Sequence, residues 1–152
     1  MRVSLKIVIC GVVLAALGSA AWAGFAKPEE AIRYRKAVMT IIGQHFGRLA
    51  AVVKGQSPYD KQEFSHQTMV IRTMTGLSWE AFLFPGSDKG DTTLKASALK
   101  EKDSFMRIAR NFEKDMQKMD ETAATGDLQA IRAQFGQVAK DCKACHSTYR
   151  KR

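Results

Sequence analysis

Apolar residues recur every three or four positions through four stretches of this chain, and strict alternation by two is almost absent. The first stretch opens at Lys27-Pro28-Glu29-Glu30, a proline suited to a first helical turn followed by acids that favour the positive end of the helix dipole. Its stripe runs Ala31, Tyr34, Val38, Ile41, His45, Leu49 and Val52, and Gly55-Gln56-Ser57-Pro58 ends it. The second starts at Asp60, with Glu63 three residues on as a capping box, and carries Phe64, Gln67/Thr68, Ile71 and Met74 up to Gly76. A connection rich in glycine and aromatic residues follows from Leu77 to Thr93. The third stretch presents Ala98, Phe105, Ile108, Phe112, Met116, Met119 and Ala123; Gly126 ends it and Asp127 caps the next at once. The fourth reads Leu128, Ile131, Phe135, Val138, Cys142, Cys145, Tyr149, steps of three and four without a break, which is a bundle seam. Short loops within the first and last pairs and one longer link between them predict an all-α fold, an up-down-up-down four-helix bundle.

The first 23 residues stand apart from this pattern. Arg2 and Lys6 precede an uncharged run from Ile7 to Gly18, and Ala21-Trp22-Ala23 has the small-x-small form of a cleavage site. This is the layout of a secretory signal peptide covering 1–23, too short in its apolar run for a membrane span. It leaves a single domain of 129 residues, 24–152, in an oxidising compartment, and in a bacterium that compartment is the periplasm. Loss of Arg2 and Lys6 takes the formal charge from +9 to +7. Export makes nucleic acid an improbable target, and after cleavage no membrane segment remains. A basic surface serves solubility, or weak docking to acidic partners.

Cys10 leaves with the signal peptide, so the domain retains only Cys142 and Cys145, too few for a disulfide framework. They stand in Cys142-Lys143-Ala144-Cys145-His146. The seam places both thiols toward the bundle interior, with His146 one turn beyond Cys142. Two thiols at i and i+3 can each add to a haem vinyl group, and the histidine then lies under the iron as an axial ligand. The motif therefore predicts one covalently bound haem c, with His146 on the metal. Two other readings use the same residues: a zinc site completed by His45 or His66 in a haem-free bundle, or a redox disulfide. Neither a second paired motif nor a preceding strand accompanies them. No paired carboxylates and no nucleophile–base arrangement are evident, so no enzymatic turnover is expected.

The domain resembles cytochrome c′, a class II c-type cytochrome, over nearly its whole length. The resemblance rests on Lys27-Pro28-Glu29, Tyr34-Arg35, His45-Phe46-Gly47-Arg48, Val52 to Gln56, Pro58-Tyr59-Asp60, Trp79 with Phe82, Gly90-Asp91, and Cys142 to Arg150. It implies that Cys142 and Cys145 form the thioethers and that His146 is the only protein ligand of a five-coordinate iron. Arg150 then lies beside the imidazole. Arg35 and Lys36 match positions that contact the haem propionates, and Asp91 matches a haem contact in the link. Met39 would cover the open iron face, with Ile42, Trp79 and Phe82 around it. The implied role is binding of NO and CO at a restricted site, with one-electron transfer as a companion property. A homodimer through the first two helices is implied as well. The alternative within the class is a six-coordinate, low-spin electron carrier in which the Met39 sulfur ligates the iron.

Overall fold

The structure, a computed structural model, describes residues 24–152; the expected signal peptide at 1–23 lies outside them. Four long helices, α1 (Pro28–Val53), α2 (Lys61–Thr75), α5 (Lys102–Thr125) and α6 (Leu128–Tyr149), are joined by a link carrying two short ones, α3 (Trp79–Leu83) and α4 (Ser97–Lys100). α1 packs on α2, α2 on α5, α5 on α6, and α6 back on α1.

Cross-links along each side fix the directions. Thr68 and Arg72 both reach Asp120, while beyond the end of α2 the indole of Trp79, the first residue of α3, reaches back to Glu113. Between α5 and α6, Tyr149 contacts Glu101 and Gln134 contacts the Asp115 carbonyl. Between α1 and α6, Arg132 donates to the Val53 carbonyl and Phe46 stacks on Phe135. Rising numbers on one helix meet falling numbers on its neighbour throughout, so the bundle is up-down-up-down, as its periodicity predicts.

Local chemistry explains the ends. Pro28 occupies the start of α1, where a missing N–H costs nothing. The Asp60 carboxylate accepts from the Glu63 N–H at 2.7 Å, but Glu63 does not return the bond as a full capping box would; its carboxylate takes the Gln67 amide instead. Gly126 has φ +81°, the left-handed conformation that only glycine adopts without strain, and the Asp127 carboxylate then accepts from Gln129 and Ala130. The third helix is not continuous: the α4 turn ends at Glu101 (φ −110°, ψ 44°), and α5 restarts there.

Phe64, Leu49, Ile71, Met116, Met119, Ile131 and Val138 form the main core, close to fully buried. A smaller core of Leu94, Ala98, Phe105 and Tyr149 sits between the link and the ends of α5 and α6. The predicted seam of α6 holds. That of α1 does not hold throughout: Tyr34 and Ile41 are exposed, and Ile32, Arg35 and Ile42 take the inward positions. α1 carries apolar residues on two adjoining faces, and packing against α3 and α6 selects the face bearing a charge.

Candidate functional site

The seam of α6 delivers Cys142, Cys145 and His146 to one wall of a cavity of about 630 Å³. α1 supplies the opposite wall through Met39, Ile42 and Phe46; Trp79 and Phe82 of α3 and Phe105 and Phe112 of α5 close the sides. Thr92, Thr93 and Leu94 bring the link to the mouth. Trp79 is locked by a 2.6 Å bond from its indole N–H to Glu113, and it packs on Phe82, Phe105 and Phe112. The sides are therefore a rigid aromatic cluster.

Cys142 and Cys145 are free, half-buried thiols. Burial pushes each up to about 11, so both are protonated thiols at neutral pH. A redox Cys-x-x-Cys requires the opposite, a stabilised thiolate. His146 is held below the usual histidine value by desolvation, with the Arg150 charge adding to the effect. Its imidazole is thus neutral and, among the described residues, makes no hydrogen bond, leaving it free to bind a metal. Among the described residues there is no group of three or more His, Cys, Asp or Glu suited to a metal ion. His45 is engaged by Gln67 and His66 is exposed, so neither approaches the cysteines.

These features fit haem. A largely apolar cavity of several hundred Å³ suits a flat, apolar cofactor. Two thiols three residues apart and a neutral imidazole one turn on stand at its wall.

The charged residues behave less simply. Arg35 is buried, at 3% exposure, and lines the cavity. Its guanidinium donates to the Ala81 carbonyl at 2.9 Å, to the Ser87 carbonyl at 2.5 Å and to the Thr92 hydroxyl at 2.5 Å. It also lies over the Phe82 ring, 5.1 Å from its centre. Desolvation holds its pKa below the ordinary value, with Asp88 opposing the shift. This backbone clamp on the link had no signal in the sequence. Lys36 lines the cavity mouth and pairs with Asp91, 2.7 Å to its carboxylate and 3.0 Å to its carbonyl. Asp91 itself is exposed and outside the lining. Arg150 lines the cavity beside His146, and its backbone pairs with Leu94. Lys95 N–H donates to the Tyr149 carbonyl and Lys151 N–H to the Thr93 carbonyl, at 2.8 and 2.7 Å, so the end of α6 is bound to the link.

Asp141, at the cavity, meets Asp115 of α5 across the helix interface; one of its oxygens is buried without a hydrogen-bond partner. Desolvation first, then the bond to Asp115 and its charge, raise Asp141 to about 6. The pair joins two helices, so no spacing within one helix announces it.

Comparison with known proteins agrees with this geometry. The family profile described as Cytochrome C' matches residues 30–150. The chain is 41% identical over 128 residues to cytochrome c′ of Alcaligenes xylosoxydans xylosoxydans, covering 84% of this chain and 98% of that protein. A solved nitric oxide complex of a variant cytochrome c prime from Alcaligenes xylosoxidans superposes with a TM-score of 0.78 at 40% identity, covering 85% of this chain and 99% of that one. A carbon monoxide-bound variant of the same protein gives 0.78 at 40% identity, with 85% and 100% covered. With the helix order, the cavity and the cysteine motif, these matches establish that the chain belongs to the cytochrome c′ family, whose members carry a covalently attached haem c.

Proposed function

We propose that this chain is a periplasmic c-type haem protein that binds NO and CO at a sterically restricted iron site and exchanges single electrons, without enzymatic turnover. Cys142 and Cys145 hold the haem as thioethers and His146 is the one protein ligand of a five-coordinate iron. When bound, the haem supplies an iron able to take a diatomic ligand and to change charge by one electron. The protein's part is positional. Arg150 stands beside the imidazole and favours its neutral form. Met39 and Ile42, with Trp79 and Phe82, shield the opposite face with apolar surface, excluding water and offering little polar stabilisation to bound O₂. Lys36 and Arg35, which line the cavity, would contact the propionates, Lys36 sharing its charge with Asp91.

The observation that carries this reading is the cavity, which joins the cysteine motif on one wall to an apolar cover on the other. The nitric oxide and carbon monoxide complexes of the Alcaligenes xylosoxidans protein support the ligand class. Residues 1–23 are proposed to be removed on export. Exposed Tyr34 and Ile41 on α1 and Met69 on α2 support a homodimer through these two helices.

Met39 lies on the cavity wall and is only half-buried, which supports a second reading: its sulfur ligates the iron and the protein is a six-coordinate electron carrier. Absorption spectra of the haem-loaded protein decide between them. High-spin bands, and a spectrum of the reduced protein that shifts on adding CO, are expected. A low-spin spectrum with a methionine-to-iron charge-transfer band overturns the five-coordinate reading in favour of the second.

A further inference from the structure

The outer face of α6 and the tail beyond it carry a concentration of charge of which the haem site uses only Arg150. Residues 140–152 include five basic side chains, Lys140, Lys143, Arg150, Lys151 and Arg152, against one acid, Asp141. All five are exposed, whereas Asp141 is partly buried and lines the cavity. Lys140, Lys143 and Ser147 follow one another at steps of three and four on one face of α6, and Arg150, Lys151 and Arg152 continue the basic stripe past the helix end at Tyr149. Cys142, Cys145 and Tyr149 occupy the inward side, and His146 stands between the two. The basic stripe therefore borders the iron ligand itself.

No ion pair among the described residues neutralises it. The two ion pairs among the described residues are Lys36–Asp91 and Arg72–Asp120, and neither involves the stripe. Glu101, the acid that approaches this end of α6, is held by the Tyr149 hydroxyl. Lys95 adds a further cation beside the C-terminus of α6, where its ammonium donates to the Ser147 and Thr148 carbonyls. The negative end of the helix dipole is thus already covered, and Lys140, Lys143, Lys151 and Arg152 face solvent.

We infer that this stripe is the docking surface for an acidic redox protein, which exchanges its electron with the haem at the His146 edge. Like charges keep basic proteins away, while an acidic patch is drawn to the side of the bundle that carries His146. The inference rests on the proposed one-electron exchange, but not on which ligand the iron takes.

The test uses the haem-loaded protein, oxidised, mixed with a reduced plant-type ferredoxin as the acidic donor, and follows haem reduction by stopped flow at rising salt. Lys140→Glu/Lys151→Glu is compared with Lys54→Glu/Lys118→Glu, which makes the same charge change at exposed positions off the stripe. Expected are a rate for the parent that falls as salt rises, and a loss of about fivefold or more at low salt for the stripe variant alone, since steering changes association rates by roughly 10- to 1,000-fold. Matching spectra and melting temperatures establish that each variant folds. Equal losses in the two variants would make the effect one of net charge and overturn the surface; a salt-independent rate would do so too. Failure of the parent to be reduced by any small reagent would instead overturn one-electron exchange.

Discussion

Replacing Arg35 by alanine tests whether the guanidinium holds the link in place. Arg35 is at 3% exposure and makes three bonds to the segment between Ala81 and Thr92. Removing it leaves the Ala81 and Ser87 carbonyls short of a donor, at about 1–3 kcal/mol for each that stays buried, while the Thr92 hydroxyl keeps its bond from the Leu94 N–H. The contact with the Phe82 ring contributes about 1 kcal/mol more. Against this stands the cost of burying a cation, which the depressed pKa of Arg35 reflects. We expect a net loss of about 3 kcal/mol in urea unfolding of the haem-loaded protein, or about 10 °C in Tm for a domain of this size. Amide exchange should rise through residues 79–92 before it rises in α5. Thr92→Val removes the hydroxyl that accepts from both Arg35 and the Leu94 N–H, and its double-mutant cycle with Arg35→Ala, which separates the Arg35 part, should return a coupling of about 1 kcal/mol. If Arg35→Ala costs under about 1 kcal/mol, or the cycle returns no coupling, the clamp is not what orders the link.

Asp141 has its pKa raised in the fold, so between its unfolded value and about pH 6 the folded state binds more protons, and stability falls as pH rises through that window. Asp141→Asn should flatten that fall in a pH series of unfolding midpoints and be the more stable form above pH 6. Met39→Ala should open the α1 wall and speed CO association to the reduced protein by about tenfold, measured by flash photolysis; no change would show that Met39 does not restrict the site. Asp127→Ala removes the cap on Gln129 and Ala130 and should lower unfolding stability by about 1 kcal/mol. Gly126→Ala places a side chain at φ +81° with Lys61 Cδ 3.4 Å from the new carbon, and should cost about 1 kcal/mol or more in the same assay.

The parts of this molecule legible in the sequence are those written on one helix. The α6 seam leads to Cys142, Cys145 and Tyr149 with one period, and the caps at Asp60 and Asp127 need only neighbouring amides. α1 was harder to read because Tyr34 and Ile41 extend its apolar stripe onto solvent, while an arginine takes an inward position. Burial of Arg35 depends on carbonyls of Ala81 and Ser87, and a carbonyl is the same at every residue. The helical turns at Trp79–Leu83 and Ser97–Lys100 are too short to show a period, so the link read as loop. Asp115 and Asp141 meet only because α5 and α6 pack together, and the distance between them along the chain hides the pairing.

The pairing of Thr93–Lys95 with Tyr149–Lys151 makes the two sides of the cavity one mechanical unit. From the end of α6 the path passes through Lys95 to Thr92, through Arg35, and on to Ala81 beside Phe82, each junction a hydrogen bond or a few residues of chain. The ring is stiff where a free loop would yield. A strain applied at the last turn of α6, where His146 stands, is therefore shared with the aromatic side wall rather than dissipated in the link.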